Sequence, residues 1–284
     1  MKKRLLTALF GILIAVGWMF TIYTPAFSLI LAAVAAIAVF EMLKVFEVTN
    51  KPFFILCELT AVATTEYAEY KAKLPVPLYA AVAVIVLLAL IIMVTDYKRL
   101  KFEQVVCGLF CSFLIPAAIS APVLFRDVYI EFPDLFTQAD GIFLILFSFF
   151  CAWFTDGFAL FAGMALGKHK LAPNISPKKT VEGAVGGVLG NLLVSWILWY
   201  VFKTKFNLSA YIDIVWLIVS ALLLSVVSIF GDLAASTIKR HRGVKDFGNL
   251  LPGHGGVMDR FDSSIFVFAA EYAILRFSIL FWAA

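Results

Sequence analysis

Nine apolar runs, each near the roughly 20 residues that a membrane-spanning helix needs, divide the chain at about 5–22, 26–45, 53–70, 77–95, 104–125, 141–166, 181–203, 212–235 and 263–283. The third is diluted by Glu58, Glu66 and Glu69 and reads as a short or tilted helix. The sixth is the longest and carries Asp156 in its C-terminal half. No long soluble segment, low-complexity linker or fixed-period repeat interrupts them. Polar residues gather instead in two connections, 167–180 and 236–262, which are rich in Gly, Pro, Ser and Lys together.

Composition agrees with the runs. The chain is 63% hydrophobic and only 15% charged, with 29 Phe and a mean hydropathy of +0.97. Soluble domains carry about 25% charged residues, so the expected class is an all-α, polytopic membrane helix bundle of about nine spans. Lys2, Lys3 and Arg4 precede the first run as in a signal peptide. No small-residue cleavage site follows, so the run is read as an uncleaved first helix. With the N-terminus cytoplasmic, only Lys71, Lys73, Arg126, Lys203 and Lys205 face outward, Arg276 lies within the last span, and the other 17 of the 23 cations face the cytoplasm. Such a bias predicts a multi-pass protein of the cell (inner) membrane with that orientation.

The spans group as 1–75, 76–140 (with room for a homodimer contact) and a catalytic region at 141–284. Cys57, Cys107, Cys111 and Cys151 all lie in apolar segments without the partners of a zinc site, and read as buried small residues. Nothing in the chain calls for nucleic acid as a partner.

Small residues in VEGAVGGVLGN (181–191) pair at four-residue spacing, Gly183 with Gly187 and Gly186 with Gly190. That spacing lets membrane helices approach closely, and the Gly-Lys-Ser/Thr of a phosphate loop is absent. Asp156, Glu182 and Asp232 lie in or beside spans six, seven and eight. An isolated carboxylate in hydrocarbon costs on the order of 3 kcal/mol, so such residues face a bundle interior or a watery cavity.

Asp232, Ser236, Lys239 and Arg240 stand at i, i+4, i+7 and i+8, one helical face. A carboxylate, a hydroxyl and two cations suit a phosphate oxyanion and a hard divalent ion. Asp259 and Asp262, at i and i+3, share a face if span nine begins near them. Gly255 and Gly256 would let backbone come close to a ligand and offer amides to phosphate. In GKHKLAPNISPKKTVEG (167–183) the four lysines read either as an anchor on acidic lipid or as a nucleotide-triphosphate clamp. Thr180 is placed to cap span seven, with Glu182 in its first turn.

The run STIKRHRGVKDFGNLLPGHGGVMDRFD (236–262) resembles the signature of the bacterial phosphatidate cytidylyltransferase (CDP-diacylglycerol synthase) family. That signature reads Ser, two residues, Lys-Arg, four residues, Lys-Asp, then His-Gly-Gly, Asp-Arg and Asp. The resemblance reaches upstream to Thr155-Asp156-Gly157, GKHKLAP (167–173) and SPKKTVEG (176–183), while the first 140 residues match only as an apolar multi-span region. It implies transfer of a cytidylyl group from CTP to phosphatidate, with Mg²⁺ and room for a monovalent cation such as K⁺. The active site would lie at the cytoplasmic end of the C-terminal half.

Roles carried by the matched residues follow from the resemblance. Asp232 and Asp259 are first choices as metal ligands, with Asp246 and Asp262 second. Lys239 and Arg240 would hold the phosphate of phosphatidate or of the nucleotide. Ser176, Lys178, Lys179 and Thr180 would meet CTP, with Ser236, Lys245, Arg260, Gly255 and Gly256 also binding substrate. His254 is expected to position phosphate more than to act as a base. Two other classes fit less well. A secondary transporter predicts midplane acids and inverted repeats, whereas these acids cluster at one end. Other lipid phosphotransferases are disfavoured, because neither the CDP-alcohol phosphotransferase motif nor an ATP-binding loop is present.

Overall fold

A computed structural model describes residues 17–70, 77–251, 253 and 255–282; most of the first expected span, and His254, lie outside them. The described chain is almost entirely helical. In order it forms α1 (Pro25–Val45), α2 (Lys51–Tyr70), α3 (Leu78–Thr95), α4 (Phe102–Ile119), α5 (Ala121–Arg126), α6 (Val128–Glu131) and α7 (Gln138–Leu166). A hairpin of β1 (Lys170–Ala172) and β2 (Ser176–Thr180) follows, then α8 (Val181–Lys205), α9 (Ile214–His241), α10 (Met258–Phe261) and α11 (Ser264–Trp282). Seven described helical stretches are long and apolar enough to cross a membrane: α1, α3, α4 with α5, α7, α8, α9 and α11. α2, expected as a short or tilted span, is a continuous 20-residue helix outside that group, its apolar character diluted by Glu58, Glu66 and Glu69.

Local chemistry sets the helix ends. Pro25 opens α1, where its missing N–H costs nothing. At the start of α7, Thr137 and Asp140 exchange bonds as a capping box. The Thr180 hydroxyl accepts from Gly183 N–H at 3.1 Å and caps α8, as the sequence predicts. α9 runs past the apolar stretch to His241, ending on Lys239, Arg240 and His241, where cations meet the negative end of the helix dipole.

The chain forms two compact units. One comprises Met1–Val123 with Arg242–Arg260; among its helices α1, α2 and α4 pack on one another and α3 lies to one side. The other comprises Leu124–His241 with Phe261–Ala284, where α7 and α8 pack most closely and α9 and α11 complete the bundle. The glycines of α8 explain that closeness. A Cβ at Gly187 would lie 2.7 Å from the Thr155 carbonyl oxygen, and one at Gly183 2.7 Å from that of Ala159. Asn191 of α8 donates to the Ser225 hydroxyl of α9 at 2.9 Å, and Thr155 of α7 bonds the same hydroxyl at 3.3 Å. Small residues and buried hydroxyls are what hold helices together where lipid is the competitor.

Gly187→Leu should therefore lower the melting temperature in detergent by several degrees, since overpacking costs about 1–3 kcal/mol. Leu189→Ala, at a position 62% exposed on the same helix, should leave it nearly unchanged.

Candidate active site

α9 carries Asp232, Ser236, Lys239 and Arg240 on one uninterrupted helix, so the stripe read from the sequence exists as a helical face. Asp232 forms an ion pair with Lys179 of β2. Lys239 Nζ lies 3.6 Å from Asp262 Oδ2. Arg240 Nε donates to the Ile175 carbonyl in the hairpin turn at 3.3 Å, and Ser236 is buried. Next to Asp262, the Ser263 hydroxyl donates to Asp156 Oδ2 at 3.0 Å. Asp156, Lys179, Asp232, Lys239 and Asp262 thus form one charged cluster in the unit built from α7, α8, α9 and α11. Burial pushes the Asp262 carboxyl up from its ordinary 3.8 to about 7; the charges of Asp232 and Asp156 add to this and Lys239 opposes it. The cluster sets three carboxyl groups against two lysines.

The hairpin places the other connection against this helix end. Lys170 pairs with Thr180 and Ala172 with Ser176. Glu182 accepts from the backbone N–H of Lys168 at 3.0 Å and lies 2.6 Å from His169 Nδ1. That carboxylate closes the hairpin's base and does not join the charged cluster. Ser176 and Lys179 are half-buried on β2, Lys178 is exposed, and Thr180 is committed to its cap.

Residues 242–260 belong to the other unit. There Asp259 is 7% exposed, and its Oδ2 accepts from Phe247 N–H at 2.8 Å and Gly256 N–H at 3.0 Å. Leu251 N–H donates to the Gly255 carbonyl at 2.8 Å across a tight turn. Gly253 and Gly255 have φ of +79° and +81° there, a conformation other residues rarely adopt. Lys245, Asp246 and Arg260 are exposed, and His254 is outside the described residues. The condition for a shared face is not met: the ninth apolar run, 263–283, becomes helical at Ser264, and Asp259 sits in the separate four-residue α10. Asp259 and Asp262 therefore do not share a helix. A turn intervenes, in which Asp262 Oδ1 accepts from Ser263 N–H at 2.9 Å.

Among the described residues no three His, Cys, Asp or Glu side chains are grouped to ligate a metal. Mg²⁺ does not require such a group. It keeps several waters and is held by one or two carboxylates together with substrate phosphates. Asp232 and Asp262, hard oxygen donors in an acid-rich cluster, fit that chemistry.

The model of the cytidylyltransferase family matches residues 2–278 of the chain. The chain belongs to that family. It is 35% identical to the phosphatidate cytidylyltransferase of Bacillus subtilis over 287 residues, covering 97% of each chain. It is also 46% identical over 131 residues to the phosphatidate cytidylyltransferase of Staphylococcus haemolyticus, a stretch covering 46% of this chain and 48% of that one. The family match spans nearly the whole cytidylyltransferase chain, including the N-terminal spans that resemble the family by apolarity alone.

One residue of this family member was not singled out by its sequence pattern, and another was flagged only as an acid within a span. Asp156 stands out as a carboxylate within a span, but its bond to Ser263 crosses 107 positions. Glu41 lies at the far end of α1, and its partners Val257 and Met258 are 216 and 217 positions away. A lone acid in an apolar helix is the signal that would have flagged it.

Proposed function

We propose that the chain transfers a cytidylyl group from CTP to phosphatidate, giving CDP-diacylglycerol and pyrophosphate, in phospholipid biosynthesis. The observation that carries this reading is full-length membership of the cytidylyltransferase family, coupled with a charged cluster at the polar end of α9. A phosphate oxygen of phosphatidate attacks the α-phosphorus of CTP. A new P–O bond forms as the bond to the bridging oxygen breaks, and pyrophosphate leaves with that oxygen. Such chemistry asks the protein mainly for positioning and charge neutralisation.

The residues divide that work. Lys239 and Arg240 hold the lipid phosphate at the end of α9, where it emerges from the apolar stretch. Lys179 and Lys178 on β2, with Ser176, take the triphosphate. When the nucleotide arrives, Lys179 exchanges its Asp232 partner for phosphate oxygens and leaves that carboxylate available. Asp232 and Asp262 would hold Mg²⁺; Asp259 and Asp246 are the candidate ligands that the signature offers in the other unit. The ion, when bound, supplies charge neutralisation across the triphosphate and the leaving pyrophosphate. Lys245, Arg260, His254, Ser236 and the amides of Gly255 and Gly256 are the further substrate-binding residues that the signature implies.

The protein resides in the cell membrane with this site facing the cytoplasm, where CTP is found. α3, whose apolar window is only 6% buried, is the surface on which a second copy would pack. The reading is tested by incubating purified protein with CTP labelled at the α-phosphate, phosphatidate and Mg²⁺, and counting label in the lipid fraction. Labelled CDP-diacylglycerol that requires both substrates is expected. Absence of labelled lipid across pH, salt and divalent ion would overturn it.

A further inference from the structure

The loop 247–258 is held by a residue from the distant N-terminal half. Glu41 sits one turn before the end of α1 and is 5% exposed. Its Oε1 accepts from Val257 N–H at 3.1 Å and its Oε2 from Met258 N–H at 2.8 Å. Both amides lie at the start of α10, where no helical carbonyl can accept them. Gly248 and Gly256 lie against the same carboxylate, and a Cβ at either would collide with it. The two glycines thus leave room for Glu41.

Asp259 repeats the arrangement on other amides of the same loop. Its carboxylate gathers Phe247 N–H and Gly256 N–H. A second tie fixes the loop's start: Arg242 Nε donates to the Val45 carbonyl, just past Glu41, at 3.0 Å, and its guanidinium lies 5.1 Å over the Phe46 ring. The last turn of α1 is therefore the platform on which residues 242–258 are folded. A carboxylate in an apolar helix is expensive to keep, and residues of this kind are retained for what they do. An apolar side chain would fill the space without that cost and would leave the buried Met258 amide and the part-buried Val257 amide without their acceptor.

We propose that Glu41 is a positioning residue for the transfer: through Val257, Met258 and the two glycines it fixes the loop in the conformation that presents Asp259 and the Gly-rich turn to substrate. The inference rests on the reading that the 236–262 segment carries the reaction.

Glu41→Gln and Glu41→Leu test it, with two readouts. Hydrogen exchange by mass spectrometry follows the peptide spanning 247–258, and kcat and KM for CTP are measured on the same preparations. Glutamine keeps the shape and one acceptor, whereas leucine keeps neither. Exchange in that peptide should rise in the order Glu, Gln, Leu, by about tenfold or more for leucine, as expected when hydrogen bonds to a charged group are lost. kcat should fall in the same order, with KM for CTP changed far less. Should Glu41→Leu fail to accumulate, Glu41→Gln alone must still show faster exchange and a lower kcat. Unchanged exchange, or faster exchange with wild-type kcat, overturns the proposal. Asp259→Asn, assayed in parallel, separates the two carboxylates. An inactive Asp259→Asn beside fully active Glu41 variants sinks the inference about Glu41 alone. Full activity in Asp259→Asn beside impaired Glu41 variants sinks the role given to Asp259 and leaves Glu41's hold on the loop intact.

Discussion

Asp262→Asn should lower cytidylyl transfer by at least about 100-fold, the scale on which a group that stabilises transition-state charge is felt, while the protein still folds. The carboxylate is 8% exposed and shares its surroundings with Asp232, Asp156 and Lys239. Burial and those acids raise it to about 7 from 3.8, so over the window between these values the folded state holds a proton that the unfolded state has released. In EDTA, this group's contribution to stability therefore falls as pH rises from about 4 to about 7, and is level above that. On the proposed reading Mg²⁺ would compete for the same oxygen, so its stabilising effect should be small at pH 5 and grow towards pH 8. Asparagine carries no titrating proton. In Asp262→Asn both the pH slope in EDTA and the growth of the Mg²⁺ effect should be reduced. Melting curves at four pH values, with EDTA and with excess Mg²⁺, read both quantities. Asp232→Asn and Asp259→Asn belong in the same series, and whichever keeps the full Mg²⁺ response is not a ligand. If all three keep it, the ion is held elsewhere and Asp246 is next.

Much of this site was legible because its parts are local. The apolar runs 26–45, 77–95 and 181–203 correspond to Pro25–Val45, Leu78–Thr95 and Val181–Lys205 within one or two residues, since hydrocarbon thickness and chain polarity fix such ends together. The Thr180 cap and the glycine packing of α8 follow from neighbours in sequence. The stripe on α9 survives because the helix continues past the apolar stretch to His241.

What escaped the reading depends on distant partners. Residues 170–180 form a hairpin that Pro173, Pro177 and four lysines in the surrounding loop disguise as irregular chain. Glu182 looked like a site acid, and its role in closing that hairpin appears only once His169 is seen beside it. The register of Asp259 and Asp262 turned on where α11 begins, and helix boundaries are the weakest part of any sequence pattern. Glu41 is the sharpest case. An apolar N-terminal region had been assigned no role in the chemistry, yet it supplies the carboxylate on which the signature loop folds.

Lys239→Ala should remove most of the activity and act differently from its neighbour. Lys239 is only partly exposed and stands 3.6 Å from Asp262. It opposes the burial and the neighbouring acids that raise that carboxyl. Its loss therefore has two effects: the lipid phosphate loses a cation, and the acidic cluster loses part of its neutralisation. A charged hydrogen bond or ion pair removed from such a place costs about 2–3 kcal/mol, about 30- to 160-fold in rate if it is felt in the transition state. Lys239→Arg keeps the charge and should recover part of the rate, limited by the larger guanidinium at a crowded helix end. Arg240 is exposed and bonded to the hairpin turn. Arg240→Lys keeps the charge but loses the planar fork, so it should raise the KM for phosphatidate, and that for CTP as well where β1 and β2 loosen. The measurement is kcat and KM for both substrates in each variant, alongside melting temperature. Near-normal kinetics in Lys239→Ala at normal expression would return that residue to the role of a surface anchor on acidic lipid. Activity that falls only in step with melting temperature would assign it to stability instead.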